Sequence, residues 1–226
     1  MKVRVLLDFD GTVTKKDTVD LLLERFALSQ WRDIEREWES GTIGSRECLE
    51  RQSALLRATP SQLDDVIDDV PIDPATHALV RRCRARALDL TIVSDGYDRV
   101  IRRVLARAGL SVPFVSNVLL PKGWNEWALL TPSALADCRV GAAHCKCARA
   151  AAIGRVVLIG DGRSDFCVAH AANFVIAKGR LARYCAQHRL AHVAVDDLGE
   201  AIDALENWTV TFEPARAEIL ETGEIA

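Results

Sequence analysis

The chain has 226 residues, of which 49% are hydrophobic and 27% are charged, and its formal net charge at pH 7 is -3. These values are typical of a globular protein with one sizeable core and a small appendage. The acidic balance and the lack of any window near the roughly 20 apolar residues of a membrane span exclude nucleic acid and membrane as expected partners. Seven cysteines without a secretory signal indicate reduced thiols, and we expect a cytoplasmic protein.

The first predicted element is a buried strand over Val3–Leu7, which leads directly into Asp8 and Asp10. Side chains alternate along an extended backbone, so Asp8 and Asp10 point to one side and Phe9 points to the other. In open α/β sheets, ligands bind at the carboxyl ends of the strands. Two carboxylates held close together repel each other unless a cation or a shared proton relieves them. This pair is therefore a candidate catalytic pair beside a divalent metal.

Helical signals follow the first strand without interruption. Apolar residues recur at helical spacing from Val19 onward, and Ser45 is the expected cap of a helix that carries Leu55 and Leu56. The run Thr59–Gln62 has capping-box spacing with proline at the first helical position, which predicts one more short helix. This block has no strand signal and is expected to be an insertion.

From Asp73 onward, predicted helices and strands alternate, which favours a mostly parallel sheet with right-handed crossovers. The stretch Leu119–Ala143 is expected to be irregular. The predicted helices cover about Ala75–Ala87, Tyr97–Ala108 and Lys146–Ile153, and the predicted strands cover Leu90–Val93, Val112–Val115, Arg155–Ile159, Phe174–Ile176 and His192–Val195.

The expected fold class is therefore α/β, with a Rossmann-like, mostly parallel sheet core and an inserted small helical cap domain. Residues 1–13 and 71–208 form the core in this prediction, and residues 14–70 form the cap. The cap joins the core through two short segments, so we expect it to open and close as a body. Residues 209–226 lack clear periodicity and are expected to be a loosely ordered tail.

Polar residues also follow two later strands, and the carboxyl ends of parallel strands share one edge of the sheet. The residue types suit a phosphate site: aspartate serves as nucleophile or acid, serine and lysine bind phosphate oxygens, and further carboxylates hold Mg²⁺. These residues are Ser94, Asp95 and Gly96 after one strand, Asp161 and Asp165 after another, and Lys146 on the helix before the latter.

The order of these motifs resembles that of the haloacid dehalogenase-like phosphatases. The run Asp8–Thr12 is the most specific motif, and Ser94, Lys146 and the run Gly160–Asp165 follow it in the expected order. The helical insertion after the first motif resembles the small cap of the phosphoserine-phosphatase-like branch. Within that branch, the run Asp8–Asp20 and the two cysteines that flank Lys146 resemble the methionine-salvage phosphatases.

The resemblance implies a two-step reaction with an aspartyl-phosphate intermediate. Asp8 would attack phosphorus, while Asp10 would protonate the leaving alcohol and later activate water. Mg²⁺ would be held by Asp8, the main-chain carbonyl of Asp10 and Asp161. Asp165 would complete the metal shell or orient Lys146.

The resemblance also implies a phosphate-binding set, which comprises Ser94, Lys146 and the backbone around Asp95 and Gly96. Asp95 departs from the small neutral residue that is common at this position in related enzymes. Its amide could still donate to phosphate, but its carboxylate would repel the ligand unless the side chain is turned away.

The implied partner is a small phosphorylated metabolite, with phosphoserine, phosphocholine and phosphoethanolamine as alternatives to a methionine-salvage intermediate. Asp17 and Arg51 are candidate specificity residues beyond the phosphate. The oligomeric state stays open. An alternative of a different class is a phospho-acceptor signalling domain, but such a domain needs neither a cap nor an acid such as Asp10.

Two further alternatives are weaker. A catalytically dead binding protein is disfavoured because every motif residue is present. A zinc site is disfavoured because Cys138, His144, Cys145 and Cys147 lack two regularly spaced ligand pairs, so we expect free thiols there.

Overall fold

The computed structural model of the chain describes residues 3–136, 138, 141–150 and 154–210. Its strands are β1 (Val3–Leu7), β2 (Asp89–Tyr97), β3 (Phe114–Pro121), β4 (Trp127–Leu130), β5 (Arg155–Gly160), β6 (Phe174–Ala177) and β7 (His192–Ala194). Its helices are α1 (Thr18–Phe26), α2 (Trp31–Glu39), α3 (Ser45–Ser53), α4 (Pro60–Asp68), α5 (Thr76–Ala85), α6 (Asp98–Arg107), α7 (Cys147–Ala150), α8 (Phe166–Ala169), α9 (Gly179–Gln187) and α10 (Leu198–Val210), with a single 3₁₀ turn at Arg163–Asp165 before α8.

The described strands form one sheet in the order β4-β3-β2-β1-β5-β6-β7, which confirms the predicted α/β class. Every neighbouring pair is parallel except β3 and β4. Leu7 at the end of β1 pairs with Ile92 of β2 on one side and Ile159 of β5 on the other. The strand order reverses at β1, so the residues that follow β1 lie in the crevice where ligands bind in such sheets.

Helices cover both faces of the sheet because the side chains of its central strands alternate between two apolar clusters. Val5 and Leu7 point into a cluster shared with α5, α6 and α10. Leu6 points to the opposite face, into a cluster shared with α8 and α9. The central strand is thus buried on both sides, which fixes the position of the residues that follow it.

Helices α1 to α4 form an insertion between β1 and α5, as expected from the helical signals. Their buried residues, such as Leu23 and Leu63, belong to the same apolar cluster as the sheet residue Ile159. The predicted division into a core and a cap at residues 13/14 and 70/71 stays a prediction. We call residues 14–70 the helical insertion below.

Two expectations about α3 are wrong. The helix ends before Leu55 and Leu56, and Leu56 instead forms an isolated antiparallel bridge with Ala27. Ser45 lies within the helix rather than capping it, and its hydroxyl accepts a hydrogen bond from the Trp38 indole at 2.9 Å. The capping box at Thr59–Gln62 is present as predicted.

The segment expected to be irregular is in part a β-hairpin. β3 continues to Pro121, and β4 returns antiparallel to it, with Leu119 opposite Leu129. Trp127 and Leu129 are buried while Leu130 is exposed, so β4 has the alternation of a half-buried strand. Four residues are too few for that pattern to stand out in the sequence.

Other element boundaries also differ from the prediction. β2 continues through Ser94–Gly96 to Tyr97, so three of the four predicted phosphate-binding residues lie within the strand. Helices α9 and α10 were not predicted, and α10 occupies residues 209–210 of the predicted tail. The rest of that tail, 211–226, and the end of the predicted helix at 151–153 lie outside the described residues. Within the described part of the chain, each helix is too short or too polar to cross a lipid bilayer.

Candidate active site

The carboxyl ends of β1, β2 and β5 open into a cavity of about 470 Å³ between the sheet and the helical insertion. This volume suits a small-molecule ligand. Its lining includes Asp8, Asp10, Asp95, Gly96 and Asp161 from the sheet, and Asp17, Asp20, Glu35, Trp38, Glu39 and Gln52 from the insertion. Six of the ten predicted site residues thus line one cavity, and Ser94, Lys146, Asp165 and Arg51 are not among the described lining residues.

Lys146 is buried beside the first motif. Its Nζ atom lies 2.6 Å from Asp8 Oδ1 and 2.6 Å from Asp165 Oδ1, and it donates to the Ser164 hydroxyl at 3.2 Å. Burial alone would lower the pKa of Lys146, but the two carboxylates outweigh it and raise that pKa above its usual value. The ammonium group is therefore charged throughout the physiological pH range.

Asp10 is oriented by the start of α1 rather than by the lysine. Its Oδ1 atom accepts hydrogen bonds from the Thr18 amide at 2.9 Å and the Thr18 hydroxyl at 2.5 Å. Its Oδ2 atom accepts from the Ser94 hydroxyl at 3.3 Å. Burial raises the pKa of Asp10, although the bonds from Thr18 act in the opposite direction. Thr18 is a site residue that the sequence analysis missed, because no motif connects it to Asp10.

Three glycines have no side chain at positions where a Cβ atom would clash with a carboxylate of the site. A Cβ atom on Gly11 would lie 2.4 Å from Asp161 Oδ2, and one on Gly96 would lie 2.4 Å from Asp10 Oδ2. A Cβ atom on Gly160 would meet a carboxylate oxygen of Asp165 at the same distance, 2.4 Å. Gly11 also has φ of +72°, a conformation that favours glycine. The glycines of these motifs are therefore steric requirements of the site.

Asp8, Asp161 and Asp165 form a group whose ligand atoms all lie within 4.8 Å of one another. Burial raises the pKa of Asp8 to about 7 and that of Asp165 to about 6, and it raises the pKa of Asp161 above its usual value. Repulsion among the three carboxylates raises these pKa values further. A hard divalent cation with oxygen ligands, such as Mg²⁺, would relieve this repulsion, so the residues fit the predicted metal. The Asp10 carboxylate lies outside this group, and the predicted contribution of its main-chain carbonyl stays a prediction.

The carboxylate of Asp95 is turned towards the loop that leads to Lys146. Its Oδ1 atom accepts a hydrogen bond from the His144 amide at 2.5 Å, and its main-chain carbonyl accepts from the Asn117 side chain at 2.6 Å. Burial raises the pKa of Asp95 to about 6. The side chain thus ties β2 to the segment that carries the lysine.

We expect Asp95→Ala to lower activity by about tenfold while Asp95→Asn stays within about threefold of the parent, because asparagine retains an acceptor for the His144 amide. Steady-state kinetics of both variants test this expectation. If the Asn variant were as impaired as the Ala variant, the charge and not the hydrogen bond would be the important property of Asp95.

Of the two predicted specificity residues, one reaches the cavity. Asp17 lines it, although its carboxylate also caps α1 by accepting from the Val19 and Asp20 amides. Arg51 is not among the lining residues. Its guanidinium pairs with Glu37 at 2.6 Å and with Glu47 at 3.3 Å, so it is engaged within the helical insertion.

All seven cysteines are free. The Cys147 and Cys167 sulfur atoms lie 2.7 Å apart, and the buried ring nitrogens of His144 have no hydrogen-bond partner among the described residues. Among the residues that the structure describes, the three aspartates are the only group of three or more potential metal ligands with suitable spacing.

A family model described as haloacid dehalogenase-like hydrolase matches residues 5–170, which is most of the chain. The chain belongs to this family. The match covers β1 through α8 and therefore includes every predicted catalytic, phosphate-binding and metal-binding position. The haloacid dehalogenase resemblance seen in the sequence motifs is confirmed.

The name of a similar protein matches the methionine-salvage phosphatases that the sequence motifs resemble. A 2-hydroxy-3-keto-5-methylthiopentenyl-1-phosphate phosphatase from Brevibacillus brevis is 28% identical over 216 residues, which cover 91% of this chain and 96% of the relative. The predicted enzyme class, a phosphatase of the haloacid dehalogenase type, is confirmed at this level.

Solved structures confirm the fold. A phosphoserine phosphatase from T. onnurineus superposes with a TM-score of 0.71 at 19% identity, covering 92% of this chain and 96% of the other. A phosphoserine phosphatase with a phospho-aspartyl intermediate analogue superposes with a TM-score of 0.68 at 19% identity, covering 90% of this chain and 98% of the other. Both structures are similar to this chain in fold.

Proposed function

We propose that this phosphatase is a Mg²⁺-dependent phosphomonoesterase that acts through an aspartyl-phosphate intermediate on a small phosphorylated metabolite. The observation that carries the proposal is the arrangement around Asp8. One of its oxygens is held by buried Lys146 at 2.6 Å, and it shares a group of ligand atoms within 4.8 Å with Asp161 and Asp165.

In the first step, the Asp8 carboxylate attacks phosphorus and the bond to the leaving alcohol breaks. Lys146 holds Oδ1 of Asp8, which leaves Oδ2 as the attacking oxygen. Ser94 and the backbone near Gly96 would bind the transferring oxygens, and Lys146 would add a fixed positive charge. Phosphoryl transfer depends mainly on such positioning and charge stabilisation.

Asp10 would supply the proton to the leaving alcohol. Its raised pKa keeps a larger fraction of the carboxyl protonated near neutral pH, and Thr18 holds it in one orientation. In the second step, Asp10 would take a proton from the water that attacks the aspartyl phosphate. This attack releases phosphate and restores Asp8.

Asp8, Asp161 and Asp165 would hold Mg²⁺, together with the main-chain carbonyl of Asp10. When bound, the ion supplies positive charge that offsets the repulsion between the Asp8 carboxylate and the phosphate dianion. The helical insertion, which contributes much of the cavity wall, would act as the predicted cap and exclude water during the first step.

The favoured substrate is 2-hydroxy-3-keto-5-methylthiopentenyl-1-phosphate, the compound named in the Brevibacillus brevis relative. Val19, Trp38 and Leu49 give the cavity apolar lining that suits a methylthio group. A second candidate class is phosphate esters with an ammonium group, such as phosphoethanolamine or phosphocholine. It is favoured by Asp20 and by the neighbouring carboxylates of Glu35 and Glu39 in the same cavity.

We expect a chelator to abolish phosphate release and added Mg²⁺ to restore it, because three closely spaced carboxylates would otherwise repel the phosphate. Phosphate release from a panel of these metabolites, measured with EDTA and then with excess Mg²⁺, tests both the metal and the substrate. Full activity in EDTA would contradict the proposed mechanism. Phosphorylation without turnover would instead indicate a phospho-acceptor domain.

A further inference from the structure

The helical insertion is fastened to the core by buried contacts on its α3 and α4 side. The Ser53 and Tyr97 hydroxyls lie 2.8 Å apart in the interior, and the Trp127 indole donates to the Ala58 carbonyl at 2.8 Å. Arg99 of α6 pairs with Asp64 of α4 at 2.8 Å. These contacts anchor α3, α4 and the segment between them to the sheet and α6.

The end of α2 also contacts the core, beside the cavity. The Arg163 guanidinium donates to the Trp38 carbonyl at 2.6 Å and lies over the Trp38 indole, 5.0 Å from its centroid. The indole N–H in turn donates to Ser45 at 2.9 Å. Nearby, the Arg46 amide donates to the Gly141 carbonyl at 2.7 Å. Trp38 is thus held by hydrogen bonds at both its backbone and its ring.

Arg163 belongs to the loop that carries two members of the aspartate group. It lies between Asp161 and Asp165, and the Asp165 carboxylate accepts from the Asp161 amide at 3.2 Å and the Gly162 amide at 3.3 Å. Both Arg163 and Trp38 line the cavity. The loop from Asp161 to Asp165 therefore links the aspartate group at one end of the cavity to Trp38, which lines the cavity from the helical insertion.

We propose that Arg163 is a positioning residue that fixes Trp38 as a wall of the cavity and so determines which organic groups the site accepts. This inference rests on the proposed function. An indole face held in place offers contact area to a planar or extended apolar group attached to phosphate. A very small group would remain near the strand ends and would not reach it. Arg163 thereby favours esters with a larger organic part.

The test compares two phosphate donors with Mg²⁺ present: p-nitrophenyl phosphate, with a planar ring, and acetyl phosphate, with a two-carbon group. We expect Arg163→Ala to raise the KM for p-nitrophenyl phosphate about tenfold while its kcat, and both constants for acetyl phosphate, stay within about twofold. Arg163→Lys, which keeps the charge but not the planar stacking group, should show an intermediate KM.

Trp38→Ala should give the same selective rise in KM, and the double variant Arg163→Ala/Trp38→Ala should add nothing to it, because both changes remove one wall. Arg36→Ala is the matched control, since Arg36 lies on the same helix and pairs with Asp33 within it. Thermal unfolding of each variant shows whether it is folded.

Equal losses for both phosphate donors, unchanged constants in folded Arg163→Ala, or additive effects in the double variant would overturn the inference. If the parent protein released phosphate neither from these two donors nor from the metabolite panel with Mg²⁺ present, the proposed function itself would fail. That outcome is distinguishable, because it concerns the parent and not the variants.

Discussion

Asp8→Asn is expected to reduce phosphate release by about 10⁴-fold or more while the protein stays folded. The amide is a poor nucleophile and cannot form an acyl phosphate with the substrate. It is nearly isosteric with the carboxylate, and its oxygen can still accept the hydrogen bond that Lys146 donates to Oδ1 at 2.6 Å. Burial raises the pKa of Asp8, so loss of its charge does not by itself threaten the fold.

Phosphate release and trapping of a hydroxylamine-sensitive phosphoenzyme measure this effect. Both should be lost in Asp8→Asn, whereas circular dichroism should be unchanged. Asp33→Asn is a suitable control, since Asp33 is exposed on α2 and pairs with Arg36 of the same helix. A folded Asp8→Asn protein with the turnover of the parent would show that another residue is the nucleophile.

Lys146→Met is expected to lower activity by about 10²- to 10³-fold and to shift the acid limb of the pH–rate profile to higher pH. Lys146 is the principal group that lowers the pKa of Asp8, so its removal raises that pKa further. A larger fraction of Asp8 is then protonated at neutral pH and cannot attack phosphorus. The rate should recover in part as pH rises and Asp8 ionises.

The same variant should lose about 3–5 kcal/mol of stability at neutral pH, because it leaves two buried carboxylates without their cation. Asp8 and Asp165 then bind protons more strongly in the folded than in the unfolded state, so stability rises as pH falls through their folded pKa values. Thermal unfolding at pH 5.5 and 7.5 checks this sign.

Lys146→Arg retains the charge and is the matched comparison for both measurements. Its acid limb should lie close to that of the parent, even if the larger guanidinium reduces the rate. An acid limb shifted equally in both variants would contradict the electrostatic role assigned to the lysine.

Local patterns in the sequence were sufficient to predict the centre of the molecule. The apolar run before Asp8 predicts a central strand, and polar residues after parallel strands must meet at one sheet edge. The position of Lys146 beside Asp8 and Asp165 follows from this rule together with the family resemblance. The capping box at Thr59–Gln62 was equally predictable, since all of its interactions are local.

Contacts between distant segments were not predictable in this way. Thr18 binds Asp10 only because the first residue of α1 lies beside the segment that follows β1. Arg51 was predicted only as a candidate specificity residue, and its ion pair with Glu37 depends on the packing of α3 against α2. Asp95 could be judged only once His144 was seen to bind its carboxylate. Each case depends on how helices and loops pack, which residue spacing does not encode.

The buried Ser53–Tyr97 and Ala58–Trp127 hydrogen bonds also limit how this enzyme can diversify. A segment that replaced residues 14–70 would have to keep a hydroxyl partner for Tyr97 and a main-chain carbonyl in the place of that of Ala58, which binds the Trp127 indole. Each buried group left without its partner would cost about 1–3 kcal/mol. The insertion is therefore exchangeable only where both partners are preserved, or where β4 and the end of β2 are transferred along with it.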